Sequence, residues 1–227
     1  MKSSHRRVAT LAITACCAVP AAGALAAQAS AATLTANKGC YVNADPSQGA
    51  PMVITGTGFV AGTTVQLTGG TAFGSAVADA NGNVTIPAQA PELATIAPAS
   101  KTTLLTATGD NPDGTTTTAT LKVQSANLAV ATKPGSVRNV RNDKVTFSFS
   151  GFAPGKHIYG YYLRKKVVAK AKYGRAKGPC GMLKEKALLF PGGHPTKDSY
   201  KVTFESSSKF NKNAFPRVTG TLNILHF

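Results

Sequence analysis

The sequence predicts an all-β chain of two tandem β-sandwich domains that follow a cleaved signal peptide. Short alternating runs are separated by turn residues about every 8–12 positions, which is the spacing of a sandwich. No stretch beyond the first thirty residues keeps the apolar period of a helix. With 227 residues, 43% of them hydrophobic and only 15% charged, the chain can bury sizeable cores and is too apolar to be disordered.

The first element is an export signal. Three basic residues precede an apolar run over residues 8–27, and an Ala-Gln-Ala cleavage site follows. We expect residues 1–29 to be removed as a signal peptide, leaving a secreted, extracellular protein without a transmembrane segment in its mature chain. The alternative is a lipoprotein processed at Cys16.

Removal of the signal leaves two cysteines, Cys40 and Cys180. In an exported chain we expect them to pair as a disulfide. Such a bond would close a loop of 140 residue steps, which the chain-entropy model values at roughly 4–5 kcal/mol. It would tie the start of the mature chain to its C-terminal half. Two separate buried thiols are the alternative.

The first sandwich is predicted over residues 30–124. Turn chemistry at Gly69-Gly70, Asn81-Gly82 and Pro112-Asp113-Gly114 separates its strands. The predicted strands are Pro51–Thr55, Thr64–Leu67, Asn83–Ile86, Thr103–Ala107 and Thr117–Val123.

A strand followed by a glycine–phenylalanine corner occurs twice. Val53-Ile54-Thr55 leads into Gly58-Phe59-Val60-Ala61-Gly62, and Val145–Phe149 leads into Gly151-Phe152-Ala153-Pro154-Gly155, 93 residues later. That offset matches one immunoglobulin-sized module of about 100 residues.

On these motifs the chain resembles bacterial immunoglobulin-like repeats, in which a G-F-x-P-G corner joins the first strands. Its layout is similar to that of actinobacterial secreted proteins with tandem Ig-like modules, a family without a known role. The resemblance implies two Ig-like domains, residues 30–124 and 125–227, and it speaks to fold rather than to function.

The two predicted domains differ sharply in charge. Residues 30–124 hold three lysines and five acids, a net charge of −2. Residues 125–227 hold nineteen lysines and arginines against four acids, a net charge of +15. An asymmetry of this size predicts that the C-terminal domain contacts a polyanion.

The basic residues are densest in a predicted hairpin whose two strands, 158–163 and 167–173, are joined by residues 164–166. Period-two alternation places Lys170 and Lys172 on one face of the second strand. The alternative is that lysines blunt an exposed edge strand and keep the protein soluble. The candidate anion-binding residues are Arg164, Lys165, Lys166, Lys170, Lys172, Arg175 and Lys177.

For an exported protein the expected polyanion is an anionic wall polymer or an envelope surface. Four tyrosines of the hairpin could stack on bases, but tyrosines that alternate in a hairpin are more often core or rim residues. The chain also lacks a nucleic-acid-binding motif, and export removes it from most nucleic acid, so we do not expect a nucleic-acid partner. The four tyrosines are Tyr159, Tyr161, Tyr162 and Tyr173.

The sequence lacks the motifs of common enzymes and metal sites, which predicts a non-enzymatic protein without a cofactor or metal. The few acids do not form a facing pair, and neither G-x-S-x-G nor the metal spacings H-E-x-x-H and C-x-x-C occur. The oxygen-rich segment Asp79–Asn83 is interpreted as a hairpin turn rather than a calcium loop, because it lacks the closing glutamate.

Two other functions stay open from the sequence. One is an extracellular adhesion or protein–protein interaction module that pairs a partner strand with an exposed sheet edge. The other is a cysteine-dependent enzyme, in which Cys180 is the nucleophile and His157 or His194 its base.

Overall fold

The computed structural model describes residues 31–45, 47–133, 142–192 and 195–224. Within these ranges the chain forms fifteen strands in four sheets and no helix, which confirms the all-β prediction. Accordingly, the described residues contain no helix long and apolar enough to cross a membrane. The predicted signal peptide, Cys16 and His194 lie outside the described residues.

Two sheets enclose a first hydrophobic core. One has the order β1-β3-β6 and the other β2-β8-β7-β4-β5. All pairs are antiparallel except β2 with β8, which run parallel. The strands are β1 (Thr33–Ala36), β2 (Tyr41–Asn43), β3 (Pro51–Thr57), β4 (Thr64–Gly69), β5 (Ala72–Val77), β6 (Val84–Gln89), β7 (Ser100–Asp110) and β8 (Thr116–Asn127).

Strict alternation builds this core. In β3 the side chains of Met52 and Ile54 are buried, and in β4 those of Val65 and Leu67 are buried, while their neighbours face outward. The sequence did not predict β5, because its small residues carry a weak strand pattern. Six residue pairs with β4, from Thr64–Val77 to Gly69–Ala72, make it a strand.

Two further sheets enclose a second core. Their orders are β13-β10-β9 and β12-β11-β14-β15. All the strand pairs in these two sheets are antiparallel. The strands are β9 (Ala129–Lys133), β10 (Lys144–Ser150), β11 (His157–Leu163), β12 (Val167–Arg175), β13 (Leu183–Leu188), β14 (Asp198–Glu205) and β15 (Arg217–Ile224).

Aromatic rings fill the second core. The rings of Phe147 and Phe149 each lie 5.1 Å from Tyr173, centroid to centroid. The Tyr162 hydroxyl lies 3.2 Å from that of Tyr173 and donates to the Leu189 carbonyl at 2.9 Å. Tyr161, Tyr162 and Tyr173 are all buried, so they cannot serve as stacking platforms for bases.

Polar contacts join the two cores. The Leu128 N–H donates to the Asn43 carbonyl at 2.9 Å, and the Ser150 hydroxyl donates to the Asn127 carbonyl at 2.6 Å. Asn127 ends β8 and Leu128 immediately precedes β9, so the chain crosses between the cores without an extended linker.

A disulfide reinforces this joint. Cys40 pairs with Cys180 across a sequence separation of 140, with their Cα atoms 5.2 Å apart. The bond connects the turn before β2 to the turn before β13, and so the first core to the second. Cys180 is therefore not a free thiol, and the cysteine-dependent enzyme loses its nucleophile.

Candidate anion-binding surface

The candidate surface is built on the antiparallel β11–β12 hairpin. Its turn is closed by the Arg164 N–H, which donates to the Lys166 carbonyl at 3.1 Å. In β12 the exposed Lys170 and Lys172 alternate with half-buried alanines and the buried Tyr173. The inward residues pack on the second core, so the pleat leaves both lysine side chains on the outer face.

An open depression of about 610 Å³ lies at the tip of this hairpin. Lys201 of β14 joins it because Leu163, the last residue of β11, pairs with Lys201 in register. The lining residues are Leu163, Arg164, Lys165, Lys166, Val168, Asp198, Ser199 and Lys201. Four cations and one acid give the depression a strongly positive field.

The one acid of the depression orients one of its cations. Arg164 forms a salt bridge with Asp198, and both side chains are partly exposed. A pair in this setting contributes at most about 1 kcal/mol to folding, but it holds the guanidinium at the wall of the depression. No salt bridge from another described residue reaches Lys165, Lys166 or Lys201.

The remaining predicted residues follow β12 away from the tip. At about 3.3 Å per residue, β12 spreads Lys170, Lys172 and Arg175 over roughly 17 Å. Lys172 lies opposite Tyr159 on β11. Arg175 donates to the Gly155 carbonyl at 2.9 Å, which holds its side chain toward the corner of the domain. Lys177 has an exposed side chain, and its backbone bridges to Met182.

Lys170 differs from the other predicted contacts. Its ammonium donates to the Ser208 carbonyl and lies 4.8 Å from the ring centroid of Tyr159 and 5.5 Å from that of Tyr161. Its ammonium group therefore has partners within the protein, although the side chain is exposed. The structure thus separates Lys170 from the freely exposed Lys165, Lys166 and Lys172.

Ser208 belongs to a segment that the sequence did not single out. We call residues 206–216, between β14 and β15, the strap. It crosses the outer face of the four-stranded sheet and contacts Tyr161 and Glu205, both of which are buried. Its own Lys209 and Lys212 are exposed.

Three exposed lysines were not singled out from the sequence: Lys201 beside the hairpin tip, and Lys209 and Lys212 in the strap. They stand 35 or more positions after Lys166 in the chain, and no local pattern relates them to the hairpin. The position of β14 beside β11 brings Lys201 to the hairpin tip. The contacts of the strap with Tyr161 and Lys170 bring Lys209 and Lys212 to the same sheet face. Their sole sequence signal is the general excess of basic residues after residue 125.

Other candidate chemistry is explained by local structure. The Asp79 carboxylate accepts N–H groups of Asn81 and Asn83, each at 2.8 Å, and these bonds hold the pKa of Asp79 below its usual range. The segment is thus a turn. Among the described residues, no group of three or more His, Cys, Asp and Glu side chains could hold a metal ion.

No known family profile matches the chain, and no curated protein sequence matches it. Solved structures do. A tetra-tandem repeat in the extending region of a large adhesion protein is 13% identical, with a TM-score of 0.31, and the match covers 85% of this chain and 49% of that one.

Two ice-binding adhesin structures are also similar. A Ca²⁺-stabilized adhesin, described as helping an Antarctic bacterium reach out and bind ice, is 16% identical, with a TM-score of 0.34 and coverage of 86% and 48%. A 1.5-MDa bacterial ice-binding adhesin is 16% identical, with a TM-score of 0.33 and coverage of 85% and 63%. The chain thus spans about half to two thirds of these structures, a likeness that identifies neither a family nor a ligand.

Proposed function

We propose that the protein is an exported, non-enzymatic envelope protein of two Ig-like modules, whose basic C-terminal module binds an anionic polymer of the cell wall. The observation that carries this proposal is the depression at the hairpin tip. There Lys165, Lys166 and Lys201 converge on one concave surface without acidic partners among the described residues. A phosphate of a linear polymer could contact several of these cations at once, with an affinity that depends strongly on salt.

The test is cosedimentation of the exported chain with purified wall sacculi across a salt series. Sacculi stripped of their anionic polymers serve as the comparison. We expect binding that requires the polymers and weakens steeply with salt, because each neutralised phosphate releases counterions. Binding that is absent at low salt, or equal on stripped sacculi, would contradict the proposal.

A matched pair of variants locates the contact. Lys165→Glu with Lys166→Glu should abolish retention at moderate salt. Lys101→Glu with Lys122→Glu changes the net charge equally at exposed positions around the first core and should leave retention intact. If both double variants lose binding equally, overall charge rather than this depression explains retention.

A second candidate function is adhesion by strand addition. The edge strand β5 exposes Phe73 and Val77 at 75% and 62% of their surface, and β4 is its one strand neighbour among the described residues. Uncharged edges of this kind accept a partner strand. Retention on stripped cells that persists at high salt and is lost in Phe73→Lys with Val77→Lys would favour this function.

A further inference from the structure

We propose that the strap is the second half of the polyanion surface. In this assignment Lys209 and Lys212 contact the polymer, whereas Phe210, Tyr161 and Lys170 are positioning residues that hold the strap in place. The inference rests on the proposed function and extends it from the hairpin tip to the outer face of the sheet. The ligand class is a linear polyphosphate or phosphodiester chain.

The strap is held in place by contacts with several strands. The Tyr161 hydroxyl donates to the Ser207 carbonyl at 2.8 Å, and the Asn211 N–H donates to the Glu205 carboxylate at 2.9 Å. The Phe210 ring packs on Tyr161 with centroids 5.5 Å apart. Four elements therefore contribute to its position, since Lys170 of β12 and Arg217 of β15 also contact it.

The strap carries a net positive charge. Residues 206–216 contain two lysines and no acid, and both lysines are exposed. The Arg217 guanidinium lies over the Phe210 ring, 5.5 Å from its centroid, and donates to the Lys212 carbonyl. An ordered segment with outward cations costs less entropy to bind than a flexible one, because its backbone is already fixed.

The strap is continuous with the exposed face of the hairpin. Lys170 contacts the strap directly through Ser208, and Lys172 is two residues away on the same face of β12. A chain that follows this face from the hairpin would therefore reach the strap. The Lys170 ammonium already contacts two tyrosine rings and the Ser208 carbonyl, so we assign it to holding the strap rather than to contacting the ligand.

The experiment measures binding of long-chain inorganic polyphosphate to the exported chain across a salt series. The slope of log K against log salt is negative. Lys209→Met with Lys212→Met should reduce its magnitude by roughly 1.4–1.8, if each lysine neutralises one phosphate. Lys101→Met with Lys122→Met is the matched control and should leave the slope unchanged. Equal slopes in the wild type and the Lys209/Lys212 variant would overturn the inference.

A neutral substitution separates positioning from charge. Phe210→Ala keeps the net charge and removes the ring that packs on Tyr161 and Arg217. We expect about a tenfold loss of polyphosphate affinity, together with faster hydrogen exchange over residues 206–216. Phe210→Tyr, which keeps the ring, should restore both. Faster exchange with unchanged affinity would show that the strap is outside the site.

Two safeguards keep the test decisive. If Phe210→Ala does not fold, Tyr161→Phe removes only the hydroxyl that binds Ser207, and the same two readouts apply. Failure of the proposed function gives a different result, since a wild-type chain that binds polyphosphate but not the polymer-bearing sacculi would leave the strap assignment standing. If the wild type binds sacculi but the strap variants bind polyphosphate as the wild type does, the strap assignment is overturned and the proposed function is not.

Discussion

Glu205 and Arg217 lie opposite each other at the paired ends of β14 and β15, beneath the strap. Glu205 is completely buried, and burial raises the pKa of its carboxyl group, although Arg217 and the Asn211 N–H act in the opposite direction. The folded protein thus carries an acid whose ionisation is opposed by its surroundings.

This acid should give a measurable pH dependence. Because its pKa is higher in the folded than in the unfolded state, its stabilisation is fully present below the unfolded pKa of about 4.3 and is lost as the pH rises through the folded pKa. Glu205→Gln removes that titration. We expect the free energy of unfolding of Glu205→Gln minus that of wild type to be more positive near pH 7 than near pH 4, because only the wild type loses stability as Glu205 ionises.

Urea unfolding of both proteins across this range is the measurement. Asp45, Asp79 and Asp113 have lowered pKa values and destabilise the fold as the pH falls, but they titrate equally in both proteins. The difference between the two proteins therefore isolates Glu205. A difference that stays constant with pH would contradict the assignment.

Reduction or removal of the Cys40–Cys180 disulfide should greatly lower the free energy of unfolding. Cys40→Ser with Cys180→Ser opens a loop with a sequence separation of 140. The chain-entropy model gives a loss of roughly 4–5 kcal/mol in the free energy of unfolding. Chemical denaturation with and without reductant measures it. The reductant should destabilise the wild type and leave the double variant unaffected. An equal loss of stability in both proteins would show that the effect of the reductant does not come from this disulfide.

Gly151 lies at the contact between the two cores, where an added side chain should lower the stability of the fold. It has φ +78°, and an added Cβ would lie 2.7 Å from a Val42 methyl and 2.9 Å from the Asn127 carbonyl oxygen. We expect Gly151→Ala to cost about 2–4 kcal/mol of unfolding free energy, through backbone strain and the clash together.

Gly155 supplies the matched control for this clash. It has φ +74°, but no atom lies within 4 Å of an added Cβ. Gly155→Ala should therefore carry only the backbone strain, about 1–2 kcal/mol. Equal losses in the two variants, measured by urea unfolding, would show that the two cores are not in close contact at this point.

Removal of the Asp198 charge should increase the affinity of the depression for anions. Asp198→Asn deletes the one acid that lines the hairpin-tip depression and releases Arg164 from its salt bridge. Polyphosphate affinity at low salt should rise severalfold, because the depression then holds four cations and no acid. Folding stability should fall by no more than about 1 kcal/mol.

Asp110→Asn serves as the control, since it changes the net charge equally at an exposed site beside the first core. It should leave the affinity near the wild-type value. A weaker complex in Asp198→Asn would mean that the salt bridge orients Arg164 for binding and that this orientation outweighs the repulsion by the carboxylate.

Much of the fold could be predicted because it is encoded locally. The run Val145–Phe149 lies within β10, and the alternation of Lys170 and Lys172 with buried neighbours is what the pleat of β12 requires. The strand β5 could not be predicted in this way. Its small residues carry little preference of their own, and pairing with β4 decides their conformation.

The candidate surface also has a part that the sequence predicts and a part that only long-range contacts decide. The basic hairpin follows from adjacent residues, whose faces a period of two assigns. The separate role of Lys170 does not, because its partners Ser208, Tyr159 and Tyr161 include a residue 38 positions away. Exposed and engaged lysines look alike in a sequence.

By itself, the sequence determined the all-β class, the glycine–phenylalanine corner that occurs twice, and the concentration of positive charge after residue 125. These are properties of composition and of short-range pattern. The tertiary structure alone decided that Lys201 joins Arg164, that the strap lies over Tyr161, and that Glu205 is buried. Such relationships depend on which strands are neighbours, and strand order is set by long-range packing that no local pattern records.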